Sequence, residues 1–159
     1  MMDSNFKIEE ALWHHELLME KMKLAENFTF EDLLYAIEEY RQAPIDINPM
    51  SLPPDMYGAV RRTKDGSLYI ISFNDKLQER LAERAVLHEL GHVARGDVDR
   101  IIKAAPLVGG TQDITCYQRR GQFYKPQERA VQLTCSIWLE QVMSQEQLIY
   151  KRSNGIWVR

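Results

Sequence analysis

The apolar and polar positions of the first forty residues alternate with a helical period. Residues 5–25, rich in Leu, Met, Glu and Lys, predict a first helix. A second helix is predicted to begin at Thr29, which forms a capping-box pattern with Asp32, and to end before Pro44. Its apolar residues follow the i, i+3, i+4, i+7 spacing of one helix face: Phe30, Leu33, Leu34 and Ile37.

The pattern changes between residues 45 and 73, where β-prone stretches replace the helical period. Two of these stretches, at 57–60 and 68–73, flank the sequence Lys64-Asp65-Gly66. An Asp-Gly pair between two apolar runs favours a tight turn with positive φ. The sequence therefore predicts a β-hairpin in this region.

The second half of the chain returns twice to a helical period. Residues 75–95 predict a helix that Gly96 ends. Its apolar side is expected to consist of Leu77, Leu81, Ala85, Leu87 and Leu90. Residues 104–125 contain Pro106 and three glycines, and are predicted to be mainly loop. A further helix is predicted from Pro126 to about residue 143, and Ser144 with Gln147 predicts the cap of a short last helix.

Composition narrows the class of protein without indicating a function. A chain of 159 residues with 45% hydrophobic positions is long enough to bury one core, so we expect a single domain over residues 1–159. Its 20 Lys and Arg against 23 Asp and Glu provide no general attraction for nucleic acid or an anionic membrane. No apolar run approaches the roughly 20 residues of a membrane span, and the N-terminus lacks the features of a secretion signal. We therefore expect a cytoplasmic protein whose Cys116 and Cys135 are reduced thiols.

The sequence His88-Glu89-Leu90-Gly91-His92 is the most informative motif of the chain. Residues four apart lie on one face of a helix, so both imidazoles can bind one Zn²⁺ while Glu89 lies beside the open coordination position. There Glu89 can act as general base toward a water whose pKa zinc lowers to about 7. The competing interpretation is a surface helix that carries two solvated histidines.

Two histidines leave zinc short of a third protein ligand. The metzincin pattern is excluded, because Arg95 and Val98 stand where it requires Gly and His. The later glutamates are the candidates: Glu128, Glu140 and Glu146. Glu128 is favoured because it precedes Gln132 by four residues, so that one could bind the metal while the other supports a ligand imidazole. Alternatively, Glu128 is a charge that the helix dipole favours at an N-terminus.

Several polar residues near the motif are weaker candidates. Asp97 could hold a ligand imidazole from the end of the motif helix, or could be a solvated acid. Tyr117 and Tyr124 precede Glu128 and are candidates for stabilising an oxyanion. His14 and His15 face different sides of a helix, and are interpreted as surface or boundary residues.

Two stretches of the chain resemble the ImmA/IrrE-type metallopeptidases. The first runs from the strand at 68–73 through the His88–His92 motif. The second, residues 128–139, resembles the family signature Glu-x-Glu-Ala-Asn-x-Phe-Ala-x-x-Leu-Leu. It retains the first Glu, the zinc ligand of the family, as Glu128. It departs from the signature at four positions: Ala130, Val131, Gln132 and Thr134. The resemblance covers residues 26–143.

The resemblance implies a small zincin-like α+β domain, with helices around a short, mostly antiparallel β-sheet and one Zn²⁺ per chain. It also implies a metalloendopeptidase that cleaves a helix-turn-helix transcriptional repressor of a mobile element or stress response. We expect this regulator to be a separate protein, and an extended substrate to pair with the strand at 68–73. The alternatives are a zinc-containing anti-repressor that sequesters its partner without proteolysis, and a metal-dependent hydrolase acting on another bond.

Overall fold

A four-stranded mixed sheet lies at the centre of the computed structural model, which describes residues 7–99, 114–119, 126–143, 151–153 and 156–158. The strands are β1 (Ile45–Met50), β2 (Met56–Arg62), β3 (Tyr69–Asn74) and β4 (Ile114–Arg119), in the order β1-β3-β2-β4. β2 is antiparallel to β3 and β4, whereas β1 is parallel to β3. The prediction of an α+β fold with a mostly antiparallel sheet is confirmed.

Four long helices accompany this sheet in the described residues. They are α1 (Ile8–Met22), α2 (Phe30–Arg41), α3 (Glu79–Arg95) and α4 (Pro126–Met143). Strands β5 (Lys151–Ser153) and β6 (Ile156–Val158) form a separate antiparallel pair. None of the described helices has the length and apolar character needed to cross a membrane. The short helix predicted at Ser144 and Gln147 lies outside the described residues.

The start of α2 follows the local signals in its sequence. The Thr29 hydroxyl accepts a hydrogen bond from the Asp32 amide at 3.1 Å, and the Asp32 carboxylate accepts one from the Thr29 amide at 3.0 Å. This capping box satisfies backbone donors that the first helical turn leaves unpaired. The predicted apolar face is the buried one: Phe30, Leu33, Leu34 and Ile37.

The predicted hairpin is present as β2 and β3, with Gly66 in the turn at a φ of 75°. The strand at 68–73, which was expected to pair with an extended substrate, has no free edge. β3 lies between β1 and β2, and β1 pairs with it along its whole length. β1 was not predicted, because the Asp, Asn and Pro that it contains have low strand propensity.

The prediction of a loop over residues 104–125 is also wrong in part, because β4 lies within it. β4 pairs with β2, from Arg62 opposite Ile114 to Met56 opposite Arg119. The glycines and the proline lie on either side of this strand in the sequence. Because such residues are typical of loops, the short β-prone run Ile-Thr-Cys-Tyr between them was not predicted as a strand. Pairing with the second side of β2 provides the hydrogen bonds that stabilise such a short strand.

α3 packs against β2 and β3 on one side, and contacts α2 and α4. It begins at Glu79 rather than residue 75, and Gly96 ends it in the left-handed conformation with a φ of 79°. Leu81 was predicted to face the core but is 48% exposed. Because neighbours surround the second half of the helix, its polar motif residues are buried together with its apolar ones.

Candidate metal centre

Three side chains converge where α3 packs against α4. His88 and His92 lie on successive turns of α3, and Glu128 lies in the first turn of α4. Nε2 of His88 is 3.2 Å from Nε2 of His92 and 2.8 Å from a carboxylate oxygen of Glu128. Nε2 of His92 is 3.2 Å from the second oxygen of Glu128. The structure thus brings together the two motif histidines and the favoured third candidate.

The spacing of these atoms fits a metal ion. A tetrahedral ion with ligand bonds of about 2.1 Å holds its ligand atoms about 3.4 Å apart. One ligand atom from each of the three residues lies within 4.8 Å of the others. Two imidazole nitrogens and a carboxylate oxygen are also a donor set that zinc and related divalent metals accept. The His88, His92 and Glu128 group could therefore hold a metal ion.

The outer nitrogens of both rings are held by acceptor groups. Nδ1 of His92 donates to the Asp97 carboxylate at 2.9 Å, and Nδ1 of His88 donates to the Gln132 amide oxygen at 3.0 Å. With the proton on Nδ1, each neutral ring directs its Nε2 lone pair into the group. Two lone pairs at 3.2 Å repel each other unless a cation lies between them. Asp97 and Gln132 therefore prepare the site for a positive charge.

The electrostatics of the group support this interpretation. Burial lowers the pKa of His92, but hydrogen bonds to Asp97 and Glu128 outweigh it and raise the pKa to about 10. Burial raises the pKa of Glu128, but hydrogen bonds to His88 and His92 reverse the effect and lower it to about 2. The group is thus stabilised by one bound positive charge, for which a proton and a metal ion compete.

Glu89 is fully buried beside the two histidines. Neither of its carboxylate oxygens has a hydrogen-bond partner among the described residues. Burial, with a smaller contribution from Glu128, raises the pKa of Glu89 to about 7, although His92 and His88 act in the opposite direction. A carboxyl group that titrates near neutrality is suited to exchange protons with a bound substrate.

Two glycines create the space for these side chains, and the sequence reasoning missed both roles. A Cβ at Gly91 would lie 3.0 Å from Cγ1 of Val131, so the missing side chain allows α4 to approach α3. A Cβ at Gly58 in β2 would lie 3.3 Å from Cγ of Glu89. The position of Gly91 inside a long helix could have indicated its role. Glycine in a helix interior lowers helix stability by up to about 1 kcal/mol, so its presence there indicates close packing.

Of the remaining candidates, Glu140 is the one whose side chain the structure describes, and it is not part of this group. Glu140 is exposed on α4, and Glu146 lies outside the described residues. Tyr117 lies in β4 opposite Ala59, where only the backbone is described, and Tyr124 lies outside the described residues. Among the described side chains we therefore assign no oxyanion-stabilising residue.

The prediction for the histidine pair of α1 is half right. His14 is exposed, but His15 is only 4% exposed, and its Nδ1 lies 3.1 Å from the Thr134 hydroxyl in α4. Burial and the nearby charge of Arg95 lower the pKa of His15. Its place in the buried face of α1 was readable from helical spacing, as it shares that face with Ala11, Leu18 and Met22.

Cys135 is buried and free, as predicted, and its thiol lies 3.6 Å from the carbonyl oxygen of Arg84. Burial raises the pKa of this thiol to about 12, so it stays protonated and unreactive. It is not a member of the metal group.

Comparisons with known proteins do not identify the class of this protein. No protein-family model, curated protein or solved structure matches the chain. The fold and the site together define an α+β domain with a buried His-His-Glu group that could hold a metal ion.

Proposed function

We propose that this protein is a zinc-dependent metalloendopeptidase. His88, His92 and Glu128 would hold one Zn²⁺, and Glu89 would act as the general base. The observation that carries the proposal is the buried Glu89 carboxylate, which has no hydrogen-bond partner among the described residues and lies on the same helix as two of the metal-group residues. A purely structural metal site has no use for such a group, and burying it unpaired is costly.

When bound, zinc supplies a Lewis acid for the substrate carbonyl and lowers the pKa of a coordinated water to about 7. Glu89 accepts the proton of the attacking water at a carboxylate oxygen and returns it to the departing amine. In the metal-free group, burial raises the pKa of this carboxyl to about 7. Asp97 and Gln132 keep the two imidazoles oriented throughout, so the ligand set needs no rearrangement.

An extended substrate would add to an outer strand, because β3 is enclosed on both sides. In the described part of the chain β4 pairs on one side only, with β2. β2 also carries Gly58, which lies against Glu89. The far side of β4 is thus the strand edge that we propose for the substrate backbone.

The class of substrate rests on the resemblance to ImmA/IrrE-type metallopeptidases. We propose a cytoplasmic protein substrate, a separate helix-turn-helix transcriptional regulator, with no direct contact between this chain and nucleic acid. The nearly balanced charge, −3 for 159 residues, agrees with a protein partner rather than DNA.

The departures from the family signature were the reason to consider an anti-repressor that binds without cutting. Ala130, Val131 and Thr134 are buried, and Thr134 contacts His15 rather than the metal group. Gln132, the remaining departure, still reaches a ligand imidazole. The departures therefore concern helix packing and leave the proposed chemistry intact, which favours the peptidase over the binding module.

Metal analysis and one substitution test the proposal. We expect one zinc per chain after purification with metal present. Glu89→Gln should keep the zinc and slow cleavage of a candidate helix-turn-helix repressor by about 10²–10⁴-fold, the usual contribution of a general base. Glu83→Gln, the same change on the same helix, is the matched control.

Three results would count against the proposal. A chain without zinc would exclude the metal site. Cleavage by Glu89→Gln at the rate of the unchanged protein would exclude the general base. An intact complex with the repressor, formed in the presence of zinc, would favour the anti-repressor instead.

A further inference from the structure

The contact between Asp97 and His92 depends on the turn that follows α3. Gly96, in the left-handed conformation, reverses the chain, and its amide donates to the Val93 carbonyl at 3.1 Å. This reversal allows a residue only five positions after His92 to reach its Nδ1 at 2.9 Å. A small rotation of the turn would move the Asp97 carboxylate away from the imidazole.

Arg41, at the end of α2, holds this turn from one side. Its Nε donates to the Val93 carbonyl at 3.0 Å, and a terminal nitrogen donates to the Ala94 carbonyl at 2.6 Å. A Cβ at Gly96 would lie 2.8 Å from the same guanidinium, so the two groups are in close contact. These bonds pair carbonyls that the end of a helix otherwise leaves unsatisfied.

Asp99 attaches the same turn to the sheet, and its carboxylate also lies 3.9 Å from a terminal nitrogen of Arg41. Its carboxylate accepts a hydrogen bond from Arg62 at 2.8 Å. Each of its two oxygens also lies 2.9 Å from the hydroxyl oxygen of Tyr69. Arg62 and Tyr69 are paired residues of β2 and β3, so the carboxylate is bound to the rigid part of the sheet. Burial, with the hydrogen bond to Asp99, raises the pKa of Tyr69 to about 12, which keeps the hydroxyl a donor.

We propose that Asp99 is a positioning residue for the metal centre. By attaching the turn to Arg62 and Tyr69, it keeps Asp97 against His92. The imidazole then holds its proton on Nδ1 and presents Nε2 to the metal. The consequence for metal affinity rests on the proposed function, whereas the positioning of Asp97 does not require a metal.

Nuclear magnetic resonance of metal-free, ¹⁵N-labelled protein tests the positioning. Asp97→Asn identifies the His92 Nδ1 resonance and the direction in which it moves when the carboxylate is lost. We expect Asp99→Asn to move this resonance in the same direction, and Tyr69→Phe to move it less. Thr29→Ala removes the cap at the far end of α2 and controls for a general loss of stability. An unmoved resonance in folded Asp99→Asn would overturn the inference; if that variant does not fold, Tyr69→Phe decides in the same way.

Zinc affinity, measured by competition with a chromogenic chelator, tests the consequence. Loss of an outer partner of a metal ligand costs about 10–100-fold in affinity, and we expect Asp97→Asn to fall in this range and Asp99→Asn near its lower end. The double variant should bind zinc no more weakly than Asp97→Asn alone, because Asp99 acts through Asp97.

The outcomes separate the two proposals. Two results would overturn the role of Asp99 in metal binding. One is a double variant in which the losses of zinc affinity of the two single variants multiply, and the other is a zinc affinity of Asp99→Asn within twofold of the unchanged protein. Failure of the unchanged protein to bind zinc would instead refute the proposed function, and the resonance of His92 would still decide whether Asp99 positions Asp97.

Discussion

Gly91 lies inside α3 between the two motif histidines, and its missing side chain determines how closely α4 can approach. In Gly91→Ala the new Cβ would lie 3.0 Å from Cγ1 of Val131. Ordinary carbon contacts are about 3.5–4.0 Å, so Val131 must give way by a few tenths of an ångström. Val131 follows Glu128 by three residues on α4, and a displacement at one reaches the other.

The expected magnitudes follow from this overlap. Alanine gains about 1 kcal/mol over glycine in a helix interior, while overpacking a well-filled core costs about 1–3 kcal/mol. We therefore expect Gly91→Ala to lower the free energy of unfolding by no more than about 2 kcal/mol. The effect on the metal should be larger, because a site tolerates errors of only about 0.2 Å in its ligand distances. We expect zinc affinity to fall by about 10-fold or more.

Denaturation by urea and a zinc competition assay measure the two effects separately. Val131→Ala removes the clashing Cγ1 atom and provides the matched test. The double variant of Gly91 and Val131 should recover much of the zinc affinity that Gly91→Ala loses, since neighbouring substitutions that relieve one clash are not additive. Gly91→Ala with unchanged zinc affinity and the full stabilisation of a Gly-to-Ala change would refute the reasoning.

Three further predictions concern other parts of the structure. Folding lowers the pKa of His15 below the value of about 6.5 that a histidine has in the unfolded chain. As the pH falls through 6.5, the unfolded chain therefore binds a proton at His15 more readily than the folded protein does, and the free energy of unfolding decreases. Urea denaturation between pH 8 and pH 5 should show that the free energy of unfolding falls more steeply with pH for the unchanged protein than for His15→Gln. The same pH dependence in both proteins would contradict this. Gly58→Ala should displace the Glu89 side chain, leaving zinc bound and slowing cleavage, and an unchanged cleavage rate would show that the contact at 3.3 Å is unimportant. Removal of zinc by a chelator should lower the melting temperature, because at a concentration 100 times its Kd a ligand stabilises the folded state by about 2.7 kcal/mol. Added zinc should restore it, and a melting temperature indifferent to zinc would argue against binding to the folded chain.

The elements that the sequence predicted well are those built from neighbours in the chain. The capping box of Thr29 and Asp32 and the turn at Gly66 formed as their residues indicated. The spacing of His88 and His92 also required only the helical period. In each case the interacting residues are a few positions apart, so local geometry decides the outcome.

The errors share the opposite property. β1 is a strand because β3 offers it a hydrogen-bonding edge, although its own sequence has low strand propensity. β4 contains a short β-prone run, but its place in the sheet depends on pairing with β2. These contacts join distant parts of the chain, and periodicity along one segment does not encode them.

The candidate site divides in the same way. The sequence by itself determined that two imidazoles and a carboxyl group share one helix, since His88, Glu89 and His92 are fixed by a single backbone period. Only the tertiary structure decided that Glu128 completes the group, because the close packing at Gly91 brings it within 2.8 Å of a residue forty positions away. Burial by the surrounding sheet and helices likewise decided the pKa of Glu89. Both effects come from desolvation and packing between separate elements, which exist only once the chain has folded.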